Sequence, residues 1–228
     1  MSDECAANDP VSDPWNWTWY QAYEWDLKNS NSNELVSGEE EVEAISRACD
    51  HADADDFAGA LEIWRDLAER GSVWSMVEIA RCYEYGRCVV RDVGEAEFWY
   101  QRAYAGGSQV AMLKCANFAA SRNDFSACAR ILQWGVDQNW APAQFWLAWY
   151  RRKQSDSKAT YRTILPLLQK AAQRGHPAAQ ICLANFMMRG KFGWWRIPAG
   201  FFRVVRLAIG YANRKSPPSD EAPEVAIA

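Results

Sequence analysis

Few residues in this chain could do chemistry, and they lie far apart. His51 stands among Asp50, Asp53, Asp55 and Asp56. Carboxylates grouped this closely can hold a hard cation through oxygen ligands. They can equally cap a helix whose apolar pattern starts near Phe57, and capping is the reading the sequence favours. His176, the second of the two histidines, follows a glycine at a turn and reads as structural. Glu62, Asp66 and Glu69 recur at i, i+4, i+7, so one helix face carries all three. Paired carboxylates can serve as general acid and base, but a solvated helix face is the ordinary explanation of this spacing. The chain shows no Gly-rich phosphate loop, no Ser or Cys nucleophile motif and no Cys-x-x-Cys pair. No catalytic residue, metal or cofactor is expected, and an enzyme is only a remote alternative.

The cysteines lie at 5, 49, 82, 88, 115, 128 and 182, an odd number that fits no metal or disulfide template. Free buried thiols in a reducing cytoplasm are expected. A Cys82–Cys88 pair is the alternative for an exported protein. Residues 1–14 are acidic and polar, without a basic start or an apolar run, so no secretory signal is expected. No stretch reaches the roughly 18–20 apolar residues that span a bilayer. Charge is unevenly spread. Residues 1–56 hold fifteen acids and two bases, although the whole chain is only at -4. The acidic pI of about 5.3 and the lack of an interleaved basic and aromatic patch argue against nucleic acid.

The elements that position these residues are helices. Ala, Glu, Arg, Leu and Gln dominate the middle of the chain, and alternating Val, Ile and Thr runs are nearly absent. Four segments superpose without a gap: ALEIWRDLAERGSVWSMVEIARCYEYG from Ala60, AEFWYQRAYAGGSQVAMLKCANFAASR from Ala96, CARILQWGVDQNWAPAQFWLAWYRRKQ from Cys128 and ILPLLQKAAQRGHPAAQICLANFMMRG from Ile164. Each has a turn residue suited to positive φ, at Gly71, Gly107, Asn139 and Gly175. Four positions on stands a small residue: Ser75, Ala111, Ala143, Ala179. Bulky apolar residues recur in the first helices at Trp64, Tyr100, Leu132 and Leu168. The second helices repeat Ile79, Cys115, Leu147 and Leu183. A hairpin of two helices of about 12 residues cannot bury its own apolar face, so neighbours must stack. The expected fold is all-α: a short α-solenoid of antiparallel helix pairs, about four repeats and a C-terminal capping helix.

GHPAAQICLANFMMRG resembles the second half of a Sel-one-like repeat, a relative of the tetratricopeptide repeat. YEYGRCVVRDVGEAEFWYQRAYAGGSQVAM is similar as well. It carries a tyrosine-glycine turn, a Val-x-x-Asp linker from Val89 to Asp92 and a Trp-Tyr-x-x-Ala helix from Trp99 to Ala103. The resemblance covers roughly residues 56–190. The third unit departs from it: Asn139 replaces the glycine, and Arg151 to Ser157 stand where the tyrosine-glycine turn belongs. That puts its loop in doubt. The resemblance implies an adaptor that binds a protein partner. It places a histidine often at the position of His176, and it suggests envelope or polysaccharide-export assembly as a setting.

Both ends are unusual. Residues 1–36 form an acidic segment and linker in which Trp15, Trp17, Trp19, Tyr20, Tyr23 and Trp25 crowd together. Such an array either folds back over the first repeat or serves as a linear motif for a partner. After a repeat domain at 37–196 comes a basic amphipathic helix at 197–213. Residues 189–215 hold seven bases and no acid. Phe201, Phe202, Val204, Val205, Leu207, Ile209 and Tyr211 give it a wide apolar surface, with Arg203 and Arg206 as a polar stripe. With Trp194 and Trp195 at headgroup level, it reads as an interfacial helix on an anionic membrane. Offset by one repeat, Gly200, Val204 and Ala208 fit instead the first helix of a fifth unit, a cap. Both readings can hold together. Residues 214–228 are disordered by composition. The expected partner-binding residues are thus Trp15, Trp17, Trp19, Trp194, Trp195, Phe201, Phe202, Arg203, Val205 and Arg206. The expected place is cytoplasmic, peripheral at the inner membrane, with a purely soluble scaffold as the alternative and the oligomeric state undetermined.

Overall fold

The structure, a computed structural model, describes residues 25–31, 35–36, 38–87 and 89–215, with side chains placed up to residue 207. Among the described residues there is no strand. Helix α1 spans Glu39–Asp53. Four helix pairs follow. They are α2 (Phe57–Glu69) with α3 (Val73–Tyr85), α4 (Val93–Ala105) with α5 (Gln109–Ser121), α6 (Phe125–Asp137) with α7 (Ala141–Gln154), and α8 (Lys158–Gln173) with α9 (Pro177–Met188). A 3-10 turn at Trp194–Arg196 leads into α10 (Ile197–Lys215). Each helix packs on its neighbours in sequence, as a solenoid requires. Helix α1 closes one end against α2, a half-unit the repeat pattern did not assign.

The turn within each pair forms for a local reason. Gly71, Gly107, Asn139 and Gly175 have φ of 98°, 93°, 61° and 91°. These values lie in the left-handed region that favours glycine and, next, asparagine. The following residue then opens the second helix. Ser72 and Ser108 accept from the backbone N–H of Ser75 and Ala111, and His176 Nδ1 accepts from that of Ala179. Trp140 has no capping group; Pro142 in the first turn lacks an N–H to satisfy. The link from α1 to α2 and the link from α5 to α6 use the same device, with Asp55 and Asn123 both at φ 60°. In the third unit α7 runs on to Gln154, the chain extends at Ser155, and Ser157 caps α8. Its departing loop leaves both helices in register.

The small positions let helices meet closely: Ser75, Ala111, Ala143 and Ala179 are fully buried. Trp64, Tyr100, Leu132 and Leu168, with Ile79, Cys115, Leu147 and Leu183, form the core between them. Gly200 serves the same purpose at the end of the array. A Cβ there would stand 2.7 Å from Met188 N and 3.0 Å from Ala184 O, so only glycine lets α10 lie this close on α9.

One expectation about the thiols is corrected. Cys49, Cys115, Cys128 and Cys182 are free, but Cys82 is bonded in a disulfide. Its partner is outside the described residues, where Cys5 and Cys88 lie.

Candidate functional site

The residues that could do chemistry are tied into structure. Asp56 caps α2, accepting from Gly59 N, and its second oxygen lies 2.7 Å from His51 Nδ1. The Gly59 N–H, then the His51 contact, hold its carboxyl below the usual range. Both side chains stand on the open surface. Glu62, Asp66 and Glu69 are exposed, the solvated face expected of them, with Asp66 paired to Arg70 at 2.8 Å. No three His, Cys, Asp or Glu side chains among the described residues are grouped to hold a metal ion.

A polar cluster joins the first two units. Lys114 Nζ lies 2.8 Å from each Glu84 oxygen, and the Tyr100 hydroxyl donates to Glu84 at 2.6 Å. Burial, then the neighbouring Glu84 charge, pushes the Tyr100 phenol far above its ordinary value. This group is kept neutral and bonded, which suits a brace between helices and not a nucleophile. Burial likewise pushes the Cys115 and Cys182 thiols up to about 12. Reactive cysteines need a lowered value.

The far end of the array is different. Trp194, Trp195, Ile197, Phe201, Phe202 and Val205 are exposed, Phe202 at 70% and Trp194 at 77%. Arg203 and Arg206 are exposed beside them. Beneath the 3-10 turn an open cleft is lined by Lys158, Arg162, Lys191 and Arg196 together with Trp194 and Trp195. Asp156 on its rim lies 3.4 Å from Lys191.

The least anticipated feature is residues 25–31, which run back along the row of turns where the second helices begin. Asp26 is buried between two of them. His176 Nε2 lies 3.0 Å from one carboxylate oxygen, and Trp146 Nε1 donates to the other at 2.8 Å. Because His176 Nδ1 accepts from Ala179 N–H, the ring proton sits on Nε2 and is donated to Asp26. Trp25 meets the His176 ring edge-on at 5.2 Å. Further along, Trp140 Nε1 donates to the Asn29 carbonyl at 2.7 Å. Asn31 Nδ2 donates to the Gly107 carbonyl, its N–H donates to Gln109 Oε1, and its Oδ1 accepts from Gln109 N. The described part of the arm therefore makes its hydrogen bonds with the second to fourth units; residues 14–24, the rest of the aromatic segment expected to fold back over the first repeat, lie outside the described residues.

Two solved structures have this architecture. A Sel1 repeat protein from Oxalobacter formigenes matches with a TM-score of 0.54 at 15% identity, over 65% of this chain and 63% of that one. This is the Sel-one-like repeat fold. A protective antigen of uropathogenic Escherichia coli strains, displaying an SLR fold, matches with a TM-score of 0.55 at 20% identity, over 65% of this chain and 33% of its own. The chain thus spans less than two thirds of either protein. No family model matches it, and no curated protein does.

On this Sel-one-like scaffold the expected site residues separate into two groups. Trp194, Trp195, Phe201, Phe202, Arg203, Val205 and Arg206 are brought together at one end. Trp15, Trp17 and Trp19 lie outside the described residues, as do Tyr20, Tyr23 and the expected tail beyond 215. Sequence reasoning missed Asp26, Asn31, Gln109, Trp140 and Trp146. Of the arm's partners it singled out His176 and Gly107, each for its turn position.

Proposed function

We propose that this chain is a non-catalytic repeat adaptor that binds a protein partner along its helix pairs and is held at an anionic membrane face by its α10 end. The repeat fold supports the first part, since such arrays present extended binding surfaces. The exposed face of α10 carries the second. A helix at the end of a solenoid normally buries one stripe and shows polar residues outside. Here Phe201, Phe202 and Val205 remain uncovered, next to two exposed tryptophans and a basic cleft. Trp at headgroup depth and Arg near anionic lipid are favourable, the latter by about 1 kcal/mol per base. No described helix is long and apolar enough to cross a membrane, so the helix would lie on the surface. The cytoplasmic leaflet is the anionic face we propose; envelope or polysaccharide-export assembly is the setting, on the family resemblance alone.

The test is co-sedimentation of the full chain with phosphatidylglycerol-containing vesicles and with neutral phosphatidylcholine vesicles. Binding to the first, weakened by salt, supports the reading. No binding to either leaves a soluble scaffold. A second reading rests on the Cys82 disulfide, which would persist in an oxidising compartment. It places the adaptor outside the reducing cytoplasm, and thiol counting in intact cells distinguishes the two.

A further inference from the structure

The dock of residues 25–31 reads side-chain chemistry in a way that ordinary packing of a terminus does not require. One end offers two N–H donors, His176 Nε2 and Trp146 Nε1, at the two oxygens of one carboxylate. An aromatic ring fits beside the same histidine. In the middle Trp140 Nε1 takes a backbone carbonyl. At the far end Gln109 and the Gly107 carbonyl hold Asn31 through three hydrogen bonds, two to its carboxamide and one from its backbone N–H. These groups come from the turns before, or the first two turns of, α5, α7 and α9, three successive second helices, with Trp140 and His176 at the same repeat position one residue after the turn. The resident's anchors follow the pattern Trp-Asp-x-x-Asn-x-Asn from Trp25 to Asn31. Asn29 contributes only its carbonyl, so the side chains read are the Trp, the Asp and the last Asn.

The resident is also held as a ligand is held. It lies on the turn row, and no helix pair depends on it for its own hairpin. Asp26 is sealed from water, yet Trp25 and Leu27 are only partly buried. Its tether, residues 32–38, is short, so it competes at high effective concentration.

We propose that this row of turns is a peptide-recognition site, and that its partner is a protein segment with an aromatic residue followed directly by Asp and an Asn five positions after the Asp. The chain's own residues 25–31 occupy the site in cis and must leave before the partner enters. This rests on the adaptor reading for the existence of a protein partner, but not on the lipid face. A partner must outcompete the tethered arm, so its apparent affinity falls by the fraction of chains with an open site.

The probe is a fluorescein-labelled synthetic peptide of residues 22–34, titrated into the full chain and followed by anisotropy, without lipid. Against wild type it should bind weakly or not at all. Against the Asp26→Ala chain, whose arm has lost its central anchor, it should bind at least about ten-fold tighter, because the competitor is removed. The same peptide carrying Asp26→Ala should fail to bind, and His176→Ala in the receiving chain should abolish binding. A chain with Trp25→Ala and Asn31→Ala releases the arm by its two ends and should behave like Asp26→Ala. Equal binding to wild type and to both released chains overturns the proposal. So does no binding to released chains that keep their helical circular dichroism and thermal transition. If neither released chain folds, the arm is a permanent brace and the proposal fails. A dimer in wild type that Asp26→Ala dissolves assigns the site to a second copy's arm and overturns it as well. Vesicle binding is unaffected by any of these outcomes, so this test and the test of the lipid face fail separately.

Discussion

Asp26 and His176 lie 150 residues apart in the chain and meet at 3.0 Å, both side chains fully buried. His176 does three things at once. Its Nδ1 caps α9, its Nε2 holds Asp26, and its ring stacks on Phe145 at 4.5 Å. Asp26 only accepts, one oxygen from His176 and the other from Trp146, and caps no helix. The two substitutions should therefore differ. His176→Ala loses a cap and a packed ring and leaves Asp26 short of a donor. It should cost about 3 kcal/mol, combining cap and cavity losses. Asp26→Ala should cost roughly 1 kcal/mol, because released donors can turn to water. Urea denaturation of both single variants and the double variant gives the coupling. Equal costs would mean that the arm is as much a part of the fold as the cap.

The third turn gives a second contrast. Asn139 at φ 61° stands where the other units have glycine, yet its Oδ1 accepts from Gln144 Nε2 at 2.7 Å. Gln144 is fully buried at the start of α7, where Trp140 supplies no cap. Asn139→Gly relieves the backbone but strands that amide, so it should destabilise by about 1 kcal/mol. Gly107→Val has open space around its Cβ. Its cost is thus purely conformational and should exceed about 1 kcal/mol, since a β-branched residue is forced to φ 93°. Thermal melts of the two variants check both signs.

These turns show what was legible. A left-handed φ restricts residue type so strongly that Gly71, Gly107, Asn139 and Gly175 could be found from spacing alone, and all four are as expected. The core positions followed from helical period, because a stacked hairpin needs the same small and large residues in each unit. The wide apolar surface of α10 was visible as more hydrophobic positions than one stripe can use. The arm was not legible. Asp26 lies in an acidic stretch that reads as linker, and nothing in its neighbourhood encodes a histidine 150 residues on. That contact is tertiary complementarity between a short segment and a row of helix starts, with no period to betray it. The only hint was that Trp25 belongs to an aromatic cluster that had to dock somewhere.

The crossing of α10 on α9 rests on Gly200. A leucine there would drive its Cβ into Met188 N and Met187 Cβ, 2.7 and 2.8 Å away, and backbone cannot yield cheaply. Gly200→Leu should cost about 1–3 kcal/mol of overpacking, localised to the end of the array. Hydrogen exchange should quicken in α9 and α10 and stay unchanged in α2 to α5. Uniform loss of protection would contradict the one-dimensional stacking.

The thiols make a chemical prediction. With Cys115 and Cys182 pushed up to about 12 by burial, little thiolate exists at pH 8. The sign is clear: raising pH towards 12 speeds their labelling, and lowering it cannot. Maleimide labelling at pH 8 followed by peptide mass spectrometry should leave both unmodified in the native protein and modify both in urea. Rapid native labelling of Cys115, which is buried, would mean that its helix opens locally on the labelling timescale; Cys182 is half-buried and is held back by its raised value alone.

The exposed end of α10 separates a lipid contact from a plain cap. Phe202 is 70% exposed and Val205 38%, and neither belongs to the buried core, so replacing both with Ser removes little packing. The change should leave the melting temperature within about 0.5 kcal/mol equivalent, as for most surface substitutions. Binding to phosphatidylglycerol vesicles should fall sharply, because burying two such side chains is worth roughly 3–6 kcal/mol at full depth. Arg203→Glu with Arg206→Glu reverses two charges at the same face. It should weaken anionic-vesicle binding about as much, and rising salt should reproduce the loss in wild type within a Debye length of about 10 Å at 0.1 M. The serine pair and the glutamate pair act on different forces, apolar insertion and Coulomb attraction. A membrane helix needs both, so both must weaken binding. If the serine pair abolishes binding while the glutamate pair and salt do nothing, the surface is an apolar protein interface. If neither has any effect, α10 is a cap whose outer face is simply left uncovered.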